Sequence, residues 1–126
     1  DGLHIGQTDL PLKEARKLLP ADMLLGLSTQ TVPQAIQAEK DGADYIGVGA
    51  VFPTTTKKNA RGHGTGILSE SKKAVKLPIV AIGGITLDNV GEVIAAGADS
   101  AAVISAILNA PSPEEAARQF VLKFRK

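Results

Sequence analysis

No cysteine occurs anywhere in the 126 residues. That absence excludes disulfides, thiolate catalysis and Cys-based metal sites together, and it is consistent with a cytoplasmic protein. No charge of either sign dominates. Fourteen Lys and Arg stand against 13 Asp and Glu, a net charge near +1, which points to no nucleic acid and no acidic membrane surface as partner. No apolar run approaches the roughly 18–20 residues that a membrane span needs; Ile79–Ile85 and Ala101–Leu108 are far shorter. No signal-peptide pattern is visible, and no GxGxxG or P-loop follows a strand-like run. An initiator Met is missing as well. The chain starts at Asp1 directly before a strand-like segment, which reads as an excised or incomplete domain. The length predicts one domain, residues 1–126.

What is present is a repeated unit. Asp1, Asp44 and Asp99 each stand before a short apolar run, and the last two follow Gly42-Ala43 and Gly97-Ala98. Glycine there suits a helix stop, because it tolerates the left-handed backbone at that position. Met23–Leu27 and Pro78–Gly83 supply two further apolar runs, so five strands are expected. Helices are expected between and after them, over Pro11–Leu19, Gln34–Asp41, Ser69–Lys76, Leu87–Ala96 and from Ser112 to about Phe124. Thr31 and Ser112 begin segments with capping-box spacing, Thr86 suits an N-cap, and Pro11 suits a first helical position. Alternating buried strands and helices predict a parallel α/β fold. Doubly wound sheets and (β/α)₈ barrels both fit that alternation.

Two loops favour the barrel. Gly83-Gly84 ends one strand and Ile104-Ser105 ends the next, and in barrels the loops after strands seven and eight often bind phosphate. The five units would then be strands 4–8 of a TIM barrel, incomplete in this chain because a closed barrel needs at least about 200 residues. The two bare edges of such a sheet predict self-association.

The polar residues that could carry chemistry all follow expected strands, where α/β folds place ligands. Tyr45–Gly49 leads into Thr54, Thr55, Thr56 and Lys57, three hydroxyls and an ammonium suited to a phosphorylated ligand; the alternative is a solvated Thr-rich loop. Asp9, after the first strand, is either one ligand of a Mg²⁺ whose other oxygens come from substrate phosphate, or a cap for the helix that follows. Ser28 reaches the same rim. His4 reads as a packed, hydrogen-bonded strand residue and His63 as a solvated one. Gly62, Gly64 and Gly66 read as a lid or as a plain linker. With no strong base or nucleophile in the set, binding and ionisation of phosphate esters is favoured over acyl or glycosyl transfer.

These motifs resemble the thiamine phosphate synthases over essentially the whole chain: Asp1-Gly-Leu-His-Ile-Gly-Gln-Thr-Asp9, Gly26-Leu-Ser-Thr29, Gly42 to Lys57, Val80-Ala-Ile-Gly-Gly-Ile85 and Val103-Ile-Ser-Ala106. Phe52-Pro-Thr-Thr-Thr-Lys57 and Gly6-Gln-Thr-Asp9 are the most specific of them. The resemblance implies a (β/α)₈ transferase of thiamine biosynthesis that joins hydroxymethylpyrimidine diphosphate to a thiazole phosphate and releases pyrophosphate. It implies that Asp9 helps hold Mg²⁺, that Ser28 meets the pyrimidine, and that Lys57 meets the pyrophosphate, Ser28 and Lys57 being the catalytic pair. Thr54, Thr55 and Thr56 would line the thiazole site, and Gly84, Ile104 and Ser105 would cradle its phosphate. Two departures stand out. Thr55 replaces a common proline, and the family's N-terminal pyrophosphate and metal ligands are not in this chain. The alternatives are a thiazole tautomerase of the same barrel and a non-catalytic phosphate-binding half-barrel.

Overall fold

The structure is a computed structural model and describes residues 1–53 and 62–125. The apolar runs form β1 (Gly2–Ile5), β2 (Leu24–Thr29), β3 (Tyr45–Val48), β4 (Ile79–Ile82) and β5 (Ser100–Ala102). All neighbouring pairs are parallel, and the order across the sheet is the order along the chain. A doubly wound sheet reverses its order at a switch point; this one never does. Each crossover runs the same way, and the fixed hand of such connections puts the helices on one face. That is the arrangement of a barrel wall.

The helices are α1 (Leu12–Leu18), α2 (Val32–Lys40), α3 (Gly66–Ala74), α4 (Val90–Ala95), α5 (Ser105–Leu108) and α6 (Pro113–Phe124). Both expected N-caps form, without the reciprocal half of a capping box: Gln34 Oε1 accepts from Gln30 N and Glu115 Oε1 from Gln119 Nε2 instead. Thr31 Oγ1 accepts from Gln34 N at 3.2 Å and Ser112 Oγ from Glu115 N at 3.3 Å. Thr86 caps the turn that leads into α4, accepting from Asn89 N at 3.3 Å. α3 starts three residues before the expected Ser69, and the four-residue α5 is an addition to the elements read from sequence.

One apolar layer joins helices to sheet. Ile5, Leu25, Ile46, Val48, Ile79 and Ala81 point into it from alternate strand positions and meet side chains such as Ala35, Leu68, Val93 and Phe120. The intervening positions face the other way, and that face is open: Leu24 is 54% exposed and Ile82 40%. His4, Tyr45 and Ser28 share this open face, because the register sets His4 beside Gly26, Gly26 beside Tyr45, and Ser28 beside Gly47.

The recurring Asp has a structural task at the N-terminal end of the sheet. Asp44 Oδ2 accepts from Leu25 N (2.8 Å) and from Arg16 Nη2 (2.7 Å). Asp99 Oδ2 accepts from Ile79 N (2.9 Å) and Lys72 Nζ (2.8 Å). Each carboxylate thus ties the start of its own strand to the preceding strand and to a helix cation. The Arg16 hydrogen bond is the main reason that the Asp44 carboxyl is held below its ordinary pKa, with the Leu25 N–H adding to the effect.

Candidate functional site

The C-terminal rim begins with the β1–α1 loop. Asp9 Oδ2 accepts from Gly6 N at 2.7 Å while Asp9 N donates to Gly6 O at 3.2 Å, so the carboxylate closes its own loop. It does not cap α1, whose N-terminus has no side-chain cap. The other carboxylate oxygen makes no hydrogen bond among the described residues. Gln7 and Asp9 also line a groove of about 390 Å³ that runs toward Gln34 and Gln37 of α2.

Gln7 reaches the next strand. Its Nε2 donates to Ser28 O at 2.8 Å, and Ser28 itself belongs to β2, which runs two residues past the expected end at Leu27. The Ser28 hydroxyl lies 2.8 Å from His4 Nε2, and His4 Nδ1 lies 2.9 Å from Tyr45 Oη. The His4 and Tyr45 rings stack at 5.5 Å between centroids. Although the His4 ring is open on one side, the sheet beneath it desolvates it enough to lower its pKa. Tyr45 was given no role from sequence. Its signal is the strand-interior Gly26, where a Cβ would lie 2.0 Å from Tyr45 Cζ.

After β3 the chain stays pinned. Val51 N donates to Ile82 O (2.9 Å) and Phe52 N to Gly83 O (3.0 Å) on one side, while His63 N donates to Ala50 O and Gly64 N to Val51 O (both 2.8 Å) on the other. A Cβ on Gly62 would lie 2.7 Å from Pro53 Cδ. Gly62 and Gly64 therefore serve a packed neck. Thr54, Thr55, Thr56 and Lys57 lie outside the described residues; Pro53, which precedes them, packs on Gly84.

Gly83 and Gly84 follow β4 with φ of +108° and +63°. Side chains there would strike Ala50 Cα at 2.6 Å and Pro53 O at 2.5 Å respectively. Part of the glycine requirement is thus met by the β3 exit rather than by a ligand. Since Ile82 pairs with Ala102, Gly84 and Ile104 lie two residues beyond the same rung, and Ser105 opens α5. The rim therefore holds the termini of five adjacent strands. Asp9, Ser28, Gly84, Ile104 and Ser105 occupy it in chain order.

Among the described residues no group of three or more His, Cys, Asp or Glu could hold a metal ion, and no helix is long and apolar enough to cross a membrane. A lone carboxylate such as Asp9 could supply one hard oxygen to a divalent ion, since Mg²⁺ takes one or two carboxylates from protein when phosphates supply other oxygens.

A family model described as thiamine monophosphate synthase matches residues 1–107. The chain belongs to this family. It is 51% identical over 121 residues to a thiamine-phosphate synthase of Methanospirillum hungatei, covering 95% of this chain and 59% of that protein. A thiamine-phosphate synthase of Moorella thermoacetica is 54% identical over 121 residues, covering 94% and 57%. The solved thiamine phosphate pyrophosphorylase of Pyrococcus furiosus superposes with a TM-score of 0.89 at 39% identity, covering 98% of this chain and 59% of that one. The chain thus spans a little under three fifths of these family members.

Proposed function

We propose that this chain is the part of a thiamine phosphate synthase that carries strands 4–8 of the (β/α)₈ barrel and the thiazole-phosphate half of its active site. One observation carries the reading: β1 to β5 stand in chain order, so Asp9, Ser28, the Pro53 that precedes Thr54, Gly84 and Ser105 all meet at one rim. Barrel enzymes keep their chemistry at that rim.

In this reading hydroxymethylpyrimidine diphosphate loses pyrophosphate by heterolysis of its methylene C–O bond, and the electron pair departs with the leaving group. The thiazole nitrogen then forms the new C–N bond. Lys57 stabilises charge on the departing pyrophosphate, Ser28 holds the pyrimidine, and Thr54, Thr55 and Thr56 line the thiazole. Backbone around Gly84, Ile104 and Ser105 meets the thiazole's phosphate. Asp9 supplies one ligand to Mg²⁺, which when bound neutralises charge on the diphosphate oxygens. The remaining pyrophosphate and metal ligands belong to strands 1–3, and the open sheet face and its bare edges, which the rest of the barrel would cover, are where the chain alone would self-associate.

The test is Lys57→Ala in a full-length synthase bearing this chain. Coupling should slow sharply while calorimetry shows thiazole phosphate binding little changed. Equal loss of both would mean that the loop is misassigned. The 126-residue chain alone should form no thiamine phosphate, and turnover by it would overturn the half-site reading. Thiazole isomerisation by the full-length protein without coupling would instead identify a tautomerase.

A further inference from the structure

Three side chains from three strands form one hydrogen-bonded line on the open face. Tyr45 Oη, His4 Nδ1, His4 Nε2 and Ser28 Oγ follow one another at 2.9 and 2.8 Å across the ring. The sheet is shaped around this line. Strand-interior glycine costs roughly 0.5–1 kcal/mol relative to alanine, and the Tyr45 ring requires one at Gly26, where a Cβ would lie 2.0 Å from Cζ, while the His4 ring stands at ordinary contact distance over a second, Gly47. A glycine at such a place marks close approach by another group. Ser28 is further held through its carbonyl by Gln7 at 2.8 Å, so both its backbone and its hydroxyl oxygen are fixed.

A neutral imidazole has one donor and one acceptor nitrogen. With a hydroxyl at each nitrogen, the line must therefore run in one direction. Either Tyr45 donates to Nδ1 and Nε2–H donates to Ser28, or the reverse. A phenol, with a pKa of about 10, is a stronger donor than an aliphatic hydroxyl, which selects the first direction. Ser28 Oγ then accepts from His4, and its own proton has no partner within the line. Desolvation of His4, which disfavours the imidazolium, keeps the ring in the neutral form that this order requires.

We propose that Tyr45 and His4 are positioning residues, a one-way relay that leaves the Ser28 hydroxyl as a hydrogen-bond donor aimed at a ring-nitrogen acceptor of a heteroaromatic ligand on the open face. The identity of that ligand rests on the reading in which Ser28 meets the pyrimidine; the direction of the relay does not.

Two measurements separate these claims. Long-range ¹H–¹⁵N correlation of the His4 imidazole at pH 7.5, with no ligand added, reads the proton directly. The expected result is protonated Nε2 and bare Nδ1, with Nδ1–H growing in Tyr45→Phe. Protonated Nδ1 in the unsubstituted protein would reverse the relay and overturn the proposal. In a full-length synthase, Tyr45→Phe should raise KM for the pyrimidine diphosphate about tenfold, the scale of one hydrogen bond, and leave KM for the thiazole phosphate unchanged. The same substitution made on Ser28→Ala should add no further loss. A full additional tenfold there would show that Tyr45 does not act through Ser28, and the relay would be wrong. If Ser28→Ala alone leaves the pyrimidine KM unchanged while His4 keeps the Nε2–H form, the ligand assignment fails and the relay stands.

Discussion

The two ends of the sheet use similar residues for opposite purposes. At the N-terminal end Asp44 Oδ2 and Asp99 Oδ2 each accept from a strand N–H and from a cation, Arg16 or Lys72, so these carboxylates join strand to strand and strand to helix. At the C-terminal rim the Asp9 carboxylate closes only its own loop through Gly6 N, and the Ser28 hydroxyl meets His4 on the open face of the sheet. Carboxylates that join neighbouring elements give stability, and polar groups presented on an open rim or face are available for binding. In α/β barrels that division follows the strand direction; here Asp44 and Asp99 stand at the starts of β3 and β5, and Asp9 and Ser28 at the ends of β1 and β2.

The comparison can be broken at several points. The largest effect should come from Gly83→Ala, which puts a Cβ 2.6 Å from Ala50 Cα at φ +108°. Left-handed strain and overpacking together predict a loss of about 3 kcal/mol, read as a drop in the urea midpoint. A loss below 1 kcal/mol would mean that the β3 exit is not packed against β4 as described.

Asp44→Asn should come next, at about 2 kcal/mol for its charge-assisted hydrogen bonds, the surface ion pair itself adding little. Because the folded pKa lies below the ordinary 3.8, this carboxylate's contribution is complete above that value and fades as pH falls through the folded one. The Asn variant should lose that part of the acid slope in pH-dependent unfolding. Impaired ligand binding without instability would place function at the wrong end.

Ser28→Ala should reverse the pattern, raising KM for the pyrimidine diphosphate roughly tenfold, equivalent to about 1.4 kcal/mol, with a change in unfolding midpoint too small to matter. The smallest effect belongs to Glu114→Ala on α6. Its 2.9 Å pair with Arg118 is exposed, and thermal unfolding should register less than about 0.5 kcal/mol.

Much of this is legible in the sequence. Thr31 and Ser112 announced two helices through side-chain capping, a local device that a four-residue window contains. Asp44 and Asp99 marked strand starts, although that they clasp the preceding strand depends on pairing over 19 or 20 residues of separation, which no window reveals. The order of elements separated neither barrel from doubly wound sheet; the sequential strand order did. α5 escaped because one helical turn has no periodicity to read. Asp9 was expected either to bind metal or to cap α1, and its partner is Gly6, three residues back within the same loop. Tyr45 was missed because its significance lies in a rung shared with His4 and Gly26, and a rung exists only once three strands are in register.

The neck formed by Ala50–Pro53 and Gly62–Gly64 has a consequence for how the family's loop can vary. Its two sides are held together by the hydrogen bonds from His63 and Gly64, and by the fit of Gly62 against Pro53. The ring closed by residues 54–61 therefore has its ends fixed by the fold. Lengthening such a ring costs only about 0.6 kcal/mol for each doubling. Insertions between Pro53 and Gly62 in a full-length synthase should therefore shift the unfolding midpoint very little.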